Sequence, residues 1–401
     1  MSSAERVSFN SDWEGPWVTA DHAYEVIAQG VPDGSKIFSN SSGYVISHTQ
    51  GVVGQMYGAK LYRNVSEFDD YLYYVSEKPD YQTGDTLKLV APFLLAHGLD
   101  NRFVEKVARD NANFISRAIP ALKIMRDLGW KPNIISTSYE QYVHLTAGEM
   151  AGVPLEDIYC TRFPIDGYAK EITEEDKRMV MEAGKKIANL PSLGITDTTR
   201  SEDITPEAMT SIRFLDDFYW EKLPKTSFAR LMSEIKPVGG TRKYEALMKS
   251  VESDGCRLPE CMTVGDSITD IVMLEKTRAA GGLAVSFNGN GYAVRNANVA
   301  VMSPHCMTTV VLADIFRRGG LPAVESAAKS WSQHTLHDLE LHGGLDTELY
   351  LTFVVASTGC NSMKDEFPVV RWLNSENLES TIAESKVWRE NIRDRKVGSL
   401  G

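Results

Sequence analysis

Polar and apolar residues alternate over Arg6–Phe9, the period-2 signature of a short strand, and the chain then enters the loop SDWEGP. Beyond this loop the period lengthens. TADHAYEVIAQG reads as a helix with Thr19 or Asp21 as its N-cap and Gly30 as its stop. Phe68, Leu72 and Val75 fall at helical spacing, and TGDTLKLVAPFLLAHG and NRFVEKVARDNANFI continue in the same manner. Roughly a hundred residues after the first strand are therefore expected to be mainly helical.

The next stretch is more regular. A helix closes at Gly129, a strand follows at Asn133–Ile135, and a helix is expected to open after Ser136-Thr137-Ser138, which together make an α-β-α unit of an α/β sheet. LEDIYCTRF reads as another strand, and residues 173–235 turn helical again. TRKYEALMKSVES is a helix, CMTVGDSITDIVMLEKTRAAGG reads as strand, loop and helix, and GLAVSFNGN and ANVAVMS are two further short strands. The tail mixes helix with the apolar run ELYLTFVVAS and ends in the charged helix ESKVWRENIRDR. The expected fold class is α/β: a Rossmann-like three-layer core with a parallel sheet, interrupted by mainly helical cap insertions. The core would be assembled from residues 1–17, 118–170 and 236–313. Residues 18–117 would form a helical cap, 171–235 a second helical insertion, and 314–401 a C-terminal extension.

Composition narrows the functions this layout could serve. A chain of 401 residues is too long for one ordinary core, which agrees with several structural units. Its net charge is -12 and its pI about 5.3. Such a chain repels nucleic acid and anionic lipid unless basic residues cluster, and no cluster stands out, so neither is expected as a partner. No apolar run spans a bilayer, the start lacks a secretory apolar region, and a cytoplasmic protein is expected. Cys160, Cys256, Cys261, Cys306 and Cys360 are odd in number and scattered, which suggests neither a disulfide framework nor a zinc cage.

Four places carry candidate chemistry. MTVGDSITD delivers Asp266 to a strand end and Asp270 one turn later, a hard-oxygen pair suited to Mg²⁺. A helix N-cap with a first-turn acid would look the same. Ser136, Thr137 and Ser138 offer hydroxyls at another strand end, either a phosphate cradle or ordinary caps. Lys243 follows a Gly-Gly turn and could neutralise a phosphate dianion or simply be solvated. Asp12 and Glu14 alternate in the first loop, where one carboxyl can attack phosphorus while the other handles the proton; an acidic surface turn is the plain alternative. Two groups are weaker. Tyr71, Tyr73, Tyr74, Phe218, Tyr219 and Trp220 suit cap-helix packing better than a stacking wall for substrate. His334, His337 and His342 suit a solvated helix face better than a metal site.

Taken in order, Asp12–Gly15, Ser136, Lys243 and the GDSITD run at Gly265–Asp270 resemble the four motifs of the haloacid-dehalogenase-like superfamily, with GDSITD the most specific. The stretch GLAVSFNGNGYAVRNANVAV is similar to the one that follows the fourth motif in phosphoserine-phosphatase-like members, where Asn288 matches a loop asparagine near the phosphate. DWEGPW, GDTLKLVAPFL and FNGN are also similar to a branch named after the R subunit of an archaeal energy-converting hydrogenase.

The superfamily resemblance implies an Mg²⁺-dependent phosphatase that acts on a small-molecule phosphate monoester through an aspartyl-phosphate at Asp12. Glu14 would act as acid and base. Asp12, the Glu14 carbonyl, Asp266 and Asp270 would hold or support the metal, and Ser136, Thr137, Lys243 and Asn288 would grip the phosphate. Most superfamily phosphatases carry Asp at the Glu14 position. That departure leaves open a phosphotransferase, or a catalytically weak subunit that binds a phosphorylated ligand or a partner enzyme. A homo-oligomer also remains open.

Overall fold

Short runs with apolar residues on both faces assemble one seven-stranded sheet, as buried strands covered on both sides do. The strands are β1 (Ser8–Ser11), β2 (Pro132–Tyr139), β3 (Ile158–Thr161), β4 (Cys261–Gly265), β5 (Leu283–Phe287), β6 (Val299–Met302) and β7 (Val369–Trp372). Their order is β3-β2-β1-β4-β5-β6-β7. All neighbours run parallel except β7, which lies antiparallel to β6. The structure is a computed structural model and describes residues 6–31, 57–195, 199–358 and 367–393. Cys360 lies outside the described residues.

Strand alternation sorts the core to two sides. Phe9, Ile134, Met262 and Val264 face the helices Ala118–Asp127 and Met307–Lys329, in a cluster with Leu122, Met125, Val310 and Val311. On the other side Ile135 and Cys261 meet Ala246, Leu247 and Val251 of the helix Thr241–Ser253, and Met273 of the helix Ile271–Ala279. Helices on both faces make this a three-layer α/β fold.

Three local expectations shift. The first strand is not Arg6–Phe9 but Ser8–Ser11, and all four of its residues are buried. Its polar side chains are satisfied across the fold. Asn10 Nδ2 donates to Ser8 Oγ at 2.9 Å, Ser250 Oγ donates to Asn10 Oδ1, and Ser8 Oγ donates to Asp254 at 2.6 Å. Buried polar groups with such partners are tolerated, so polarity here does not mark a surface. The second strand continues through Ser136-Thr137-Ser138 with a register shift between Ile135 and Tyr139, and the helix opens only at Glu140. The three hydroxyl residues therefore stand at a strand end, as expected, and what shifts is the length of the strand, which runs to Tyr139 and makes Tyr139 the helix N-cap. The strand β7, in the tail, was not expected at all.

The chain divides into two units. One comprises Met1–Asp21, Ala108–Thr161 and Pro237–Gly401 and contains the whole sheet. The tail expected as an extension thus belongs to it, because β7 extends the sheet beside β6. The other comprises His22–Val107 and Arg162–Lys236, so the two expected insertions form a single helical unit. Within it, Asn64 Nδ2 donates to the Ile187 carbonyl at 2.6 Å and Tyr219 Oη to the Leu89 carbonyl at 3.1 Å, each joining the two segments. Phe68 stacks on Tyr219 and Phe93 on Phe218, so Phe218 and Tyr219 are packing residues of this helical core.

Candidate functional site

Asp12 is the first residue past β1, and its N–H donates to the Val264 carbonyl of β4 at 2.9 Å. The register Ser11↔Ile134 and Ser11↔Val264 centres it between β2 and β4 at the C-terminal sheet edge, where open α/β sheets place their ligand sites. Two buried tryptophans fix the loop. Trp13 Nε1 donates to Thr146 Oγ1 and Trp17 Nε1 to Ser11 Oγ, both at 2.8 Å, and the two rings stack with centroids 6.4 Å apart. Ser11 Oγ in turn donates to the Asp12 carbonyl at 2.7 Å, and the Trp13 N–H donates to Asp12 Oδ1 at 2.7 Å. Gly15 adopts φ +95, and a Cβ there would fall inside the Asp266 carboxylate, which is why this loop requires glycine.

Asp266 leaves the end of β4, and Asp270 follows in the turn before the helix Ile271–Ala279. Asp270 does two jobs. Its Oδ2 accepts the N–H groups of Asp266 at 2.9 Å and Ser267 at 3.0 Å, and its Oδ1 accepts Lys243 Nζ at 2.6 Å. Lys243 also reaches Asp12 Oδ2 at 2.6 Å and is fully buried. Burial works against the Lys243 ammonium, but Asp12 and Asp270 outweigh it and raise its pKa, so the lysine stays charged. For Asp12, burial raises the pKa well above the ordinary carboxylate range; Lys243 opposes this, while Asp270 and Asp266 add to it.

The sequence motifs did not single out the partners of Asp266. Arg389 and Arg393, on and just past the helix Leu378–Ile392, both direct Nη1 at its Oδ2, Arg393 at 2.9 Å. Arg389 Nη1 also donates to the Asp266 carbonyl at 3.2 Å, and that carbonyl accepts the Asn290 N–H at 2.8 Å. Arg393 further donates to the carbonyls of Thr19 at 3.4 Å and Ala20 at 3.3 Å. Both arginines are buried. One signal for them was present: Thr381, Ser385 and Arg389 recur every four residues as the buried stripe of this helix, and Arg393, just past its end, continues the spacing.

The other expected residues lie along the same edge with different commitments. Glu14 is half-buried, and its charge is felt by the buried Tyr142 hydroxyl, whose pKa is raised by burial first, then by Glu14, against Arg393. Ser136 is buried, and its Oγ accepts the Ser138 N–H at 3.3 Å. Thr137 Oγ1 donates to the Val238 carbonyl at 2.9 Å. Asn288, at φ +44, exchanges two hydrogen bonds with the Ser303 backbone, each 2.9 Å, which engage both ends of its amide. His334 and His337 instead face Asp338 and Glu340 at 3.4 and 3.7 Å on a solvated helix.

The close cluster is therefore Asp12, Asp266 and Asp270 with Lys243, Arg389 and Arg393. The three carboxylates offer oxygens within 4.8 Å of one another, the one such acidic group among the described residues. Hard oxygen donors in this number fit a divalent ion such as Mg²⁺.

Fold and site together define an α/β protein with a buried carboxylate–cation cluster at the C-terminal edge of its sheet. Over its length the chain is similar to the structure of gene product AF1437 from Archaeoglobus fulgidus, at 27% identity, 99% coverage of each chain and a TM-score of 0.70. Phosphoserine phosphatase in apo form is a looser likeness, at 13% identity and a TM-score of 0.41, covering 76% of this chain and 98% of that one. No protein-family model and no curated protein matches the chain. No helix among the described residues is long and apolar enough to cross a membrane.

Proposed function

We propose that the chain is a haloacid-dehalogenase-like phosphatase that hydrolyses a small-molecule phosphate monoester through an aspartyl-phosphate at Asp12. The observation that carries this reading is the Lys243 ammonium held between Asp12 and Asp270 at 2.6 Å from each, beside Asp266, in the order and at the strand ends that the superfamily motifs imply. Phosphoryl transfer needs mainly positioning and charge neutralisation, and this cluster has the parts for both.

In this reading an Asp12 carboxylate oxygen bonds to phosphorus as the ester oxygen departs with a proton from Glu14. Glu14, now ionised, takes a proton from water, whose oxygen attacks phosphorus and releases phosphate and Asp12. Lys243 holds Asp12 in place and offsets charge on the transferring group, and Ser136 lies on the adjoining strand within the same edge. Asp12, Asp266 and Asp270, with the Glu14 carbonyl, would hold Mg²⁺, which when bound supplies positive charge to Asp12 and to the phosphoryl oxygens. Thr137 and Asn288 serve in this reading as supports of the loop framework, through Val238 and Ser303.

A second reading, a subunit that binds a phosphorylated ligand without turning it over, is favoured by the double arginine pairing of Asp266. Phosphate release from a broad panel of phosphorylated metabolites, with and without Mg²⁺, separates the two. Release that Asp12→Asn abolishes supports the phosphatase, whereas no release above that variant on any panel member sinks it.

A further inference from the structure

We propose that the last helix is a built-in competitor of the divalent ion: Arg389 and Arg393 dock on Asp266 when the metal is absent and leave when it binds. The inference rests on the phosphatase reading for the identity of the ion, and deepens it by assigning the site a regulator.

Charge is the first argument. Asp12, Asp266 and Asp270 already meet three buried cations, Lys243, Arg389 and Arg393. A divalent ion added to that neutral cluster would meet two guanidinium groups on the carboxylate it must share, inside a poorly screened interior. Exchange removes the conflict, because two arginine charges leave as two metal charges arrive. Lys243 is not part of the exchange, since it binds Asp12 and Asp270 from another helix.

Hydrogen bonding is the second. Arg389 Nε is buried without an acceptor, so the docked guanidinium is incompletely satisfied even while its Nη1 holds Asp266. A buried donor left unpaired weakens the state that contains it.

The helix is also held in a way that lets one end leave. Toward its start, Glu379 pairs with Arg295 and Glu384 accepts Arg371 at 2.6 Å, and Ser385 Oγ donates to the Gly289 carbonyl at 2.7 Å. Past Ser385, Arg389 and Arg393 hold Asp266 and the Thr19 and Ala20 carbonyls. Loss of the Asp266 pairing therefore removes both ion pairs of the final turns, which keep the Thr19 and Ala20 carbonyls and the packing of Ile392, while the ion pairs of the first turns stay. By reciprocity, docking lowers metal affinity by the factor by which metal lowers docking.

The test titrates Mg²⁺, and Mn²⁺ as a spectroscopic substitute, into the full chain without substrate by calorimetry. Wild type is compared with Arg389→Gln, Arg393→Gln and the double variant, and with Arg389→Lys, which keeps the charge. The glutamine variants should bind the ion roughly tenfold more tightly, with the lysine variant close to wild type. In wild type, Mg²⁺ should speed hydrogen exchange over residues 386–393 and leave 378–384 protected. Circular dichroism of each variant excludes misfolding, and the wild-type exchange measurement needs no variant at all. Equal or weaker binding by the glutamine variants, no change in exchange on metal addition, or no ion binding by any protein would each overturn the proposal. Phosphate release, scored on the same preparations, judges the phosphatase reading separately: ion binding that obeys the arginines without any hydrolysis would keep the exchange and sink the enzyme.

Discussion

Lys243 shows how much one side chain carries in a buried cluster. Replacing it with Met keeps the volume but leaves Asp12 and Asp270 facing each other without compensation. Loss of one partner of a buried ion pair costs about 3–5 kcal/mol, so Lys243→Met should lower the denaturation midpoint sharply. Asp12→Asn should be milder, because its amide oxygen still accepts the Trp13 N–H and Lys243 keeps Asp270, while the nucleophile is gone. Folding with activity lost is the expected outcome, read by chemical denaturation beside phosphate release. Asn288 tests a different assignment. Its amide is engaged at both ends by Ser303, at a backbone φ of +44. Asn288→Ala should cost about 2–3 kcal/mol from two lost hydrogen bonds and left-handed strain. Asn288→Gly should recover the strain part alone. Unchanged stability with weakened phosphate binding would instead return Asn288 to the ligand role that the motif implied.

At the scale of elements, the strand ends and the last helix differ in how legible they were. The end of β4 was plain, because a buried apolar run meets Gly265-Asp266 and a turn that has to end the strand. Gly265 is required there, since a Cβ would run into Asp270. The last helix could be predicted as a helix but not placed. Its buried stripe is Thr381, Ser385 and Arg389, with Arg393 buried just past its end, whereas Val387 is 56% exposed. A helix whose inner face is polar and whose outer face carries a valine inverts the pattern that normally reports burial. Only partners distant in sequence, Asp266 and the Gly289 carbonyl, make such a face stable inside. Ser385→Val tests the element: it keeps a small side chain but removes the bond to Gly289, and should raise hydrogen exchange over the helix start without changing exchange in the helix Thr241–Ser253.

At the scale of the whole molecule, acid acts on the helical unit through a buried group. The helical unit contains His22, almost wholly buried, whose pKa burial lowers to about 3. The unfolded chain takes up that proton near the ordinary value of about 6.5, while the folded unit refuses it until about pH 3. The folded state thus binds fewer protons across that window, and the His22 contribution to stability falls as pH drops from 6.5 toward 3, by up to about 1.4 kcal/mol per unit. His22→Gln, which cannot titrate, should lose less stability than wild type over the same range, whatever its offset at neutral pH. Parallel pH slopes for the two proteins would contradict this.

The sequence alone determined the α/β class, most of the core strands, and the positions of Asp12, Lys243, Asp266 and Asp270. These depend on local rules: apolar periodicity, turn residues at strand ends, and the order in which strand ends carry chemistry. It also implied the helical character of both insertions. Tertiary structure decided what local rules cannot see. It moved β1 onto the buried polar run Ser8–Ser11, because Asp254 and Ser250, far along the chain, satisfy its side chains. It joined residues 22–107 and 162–236 into one helical unit, and it added β7 to the sheet. It also brought Arg389 and Arg393 to Asp266 across more than a hundred residues of chain. A charge has no preferred partner until folding removes water and places an opposite charge within reach, so the two arginines of this site were written only in three dimensions.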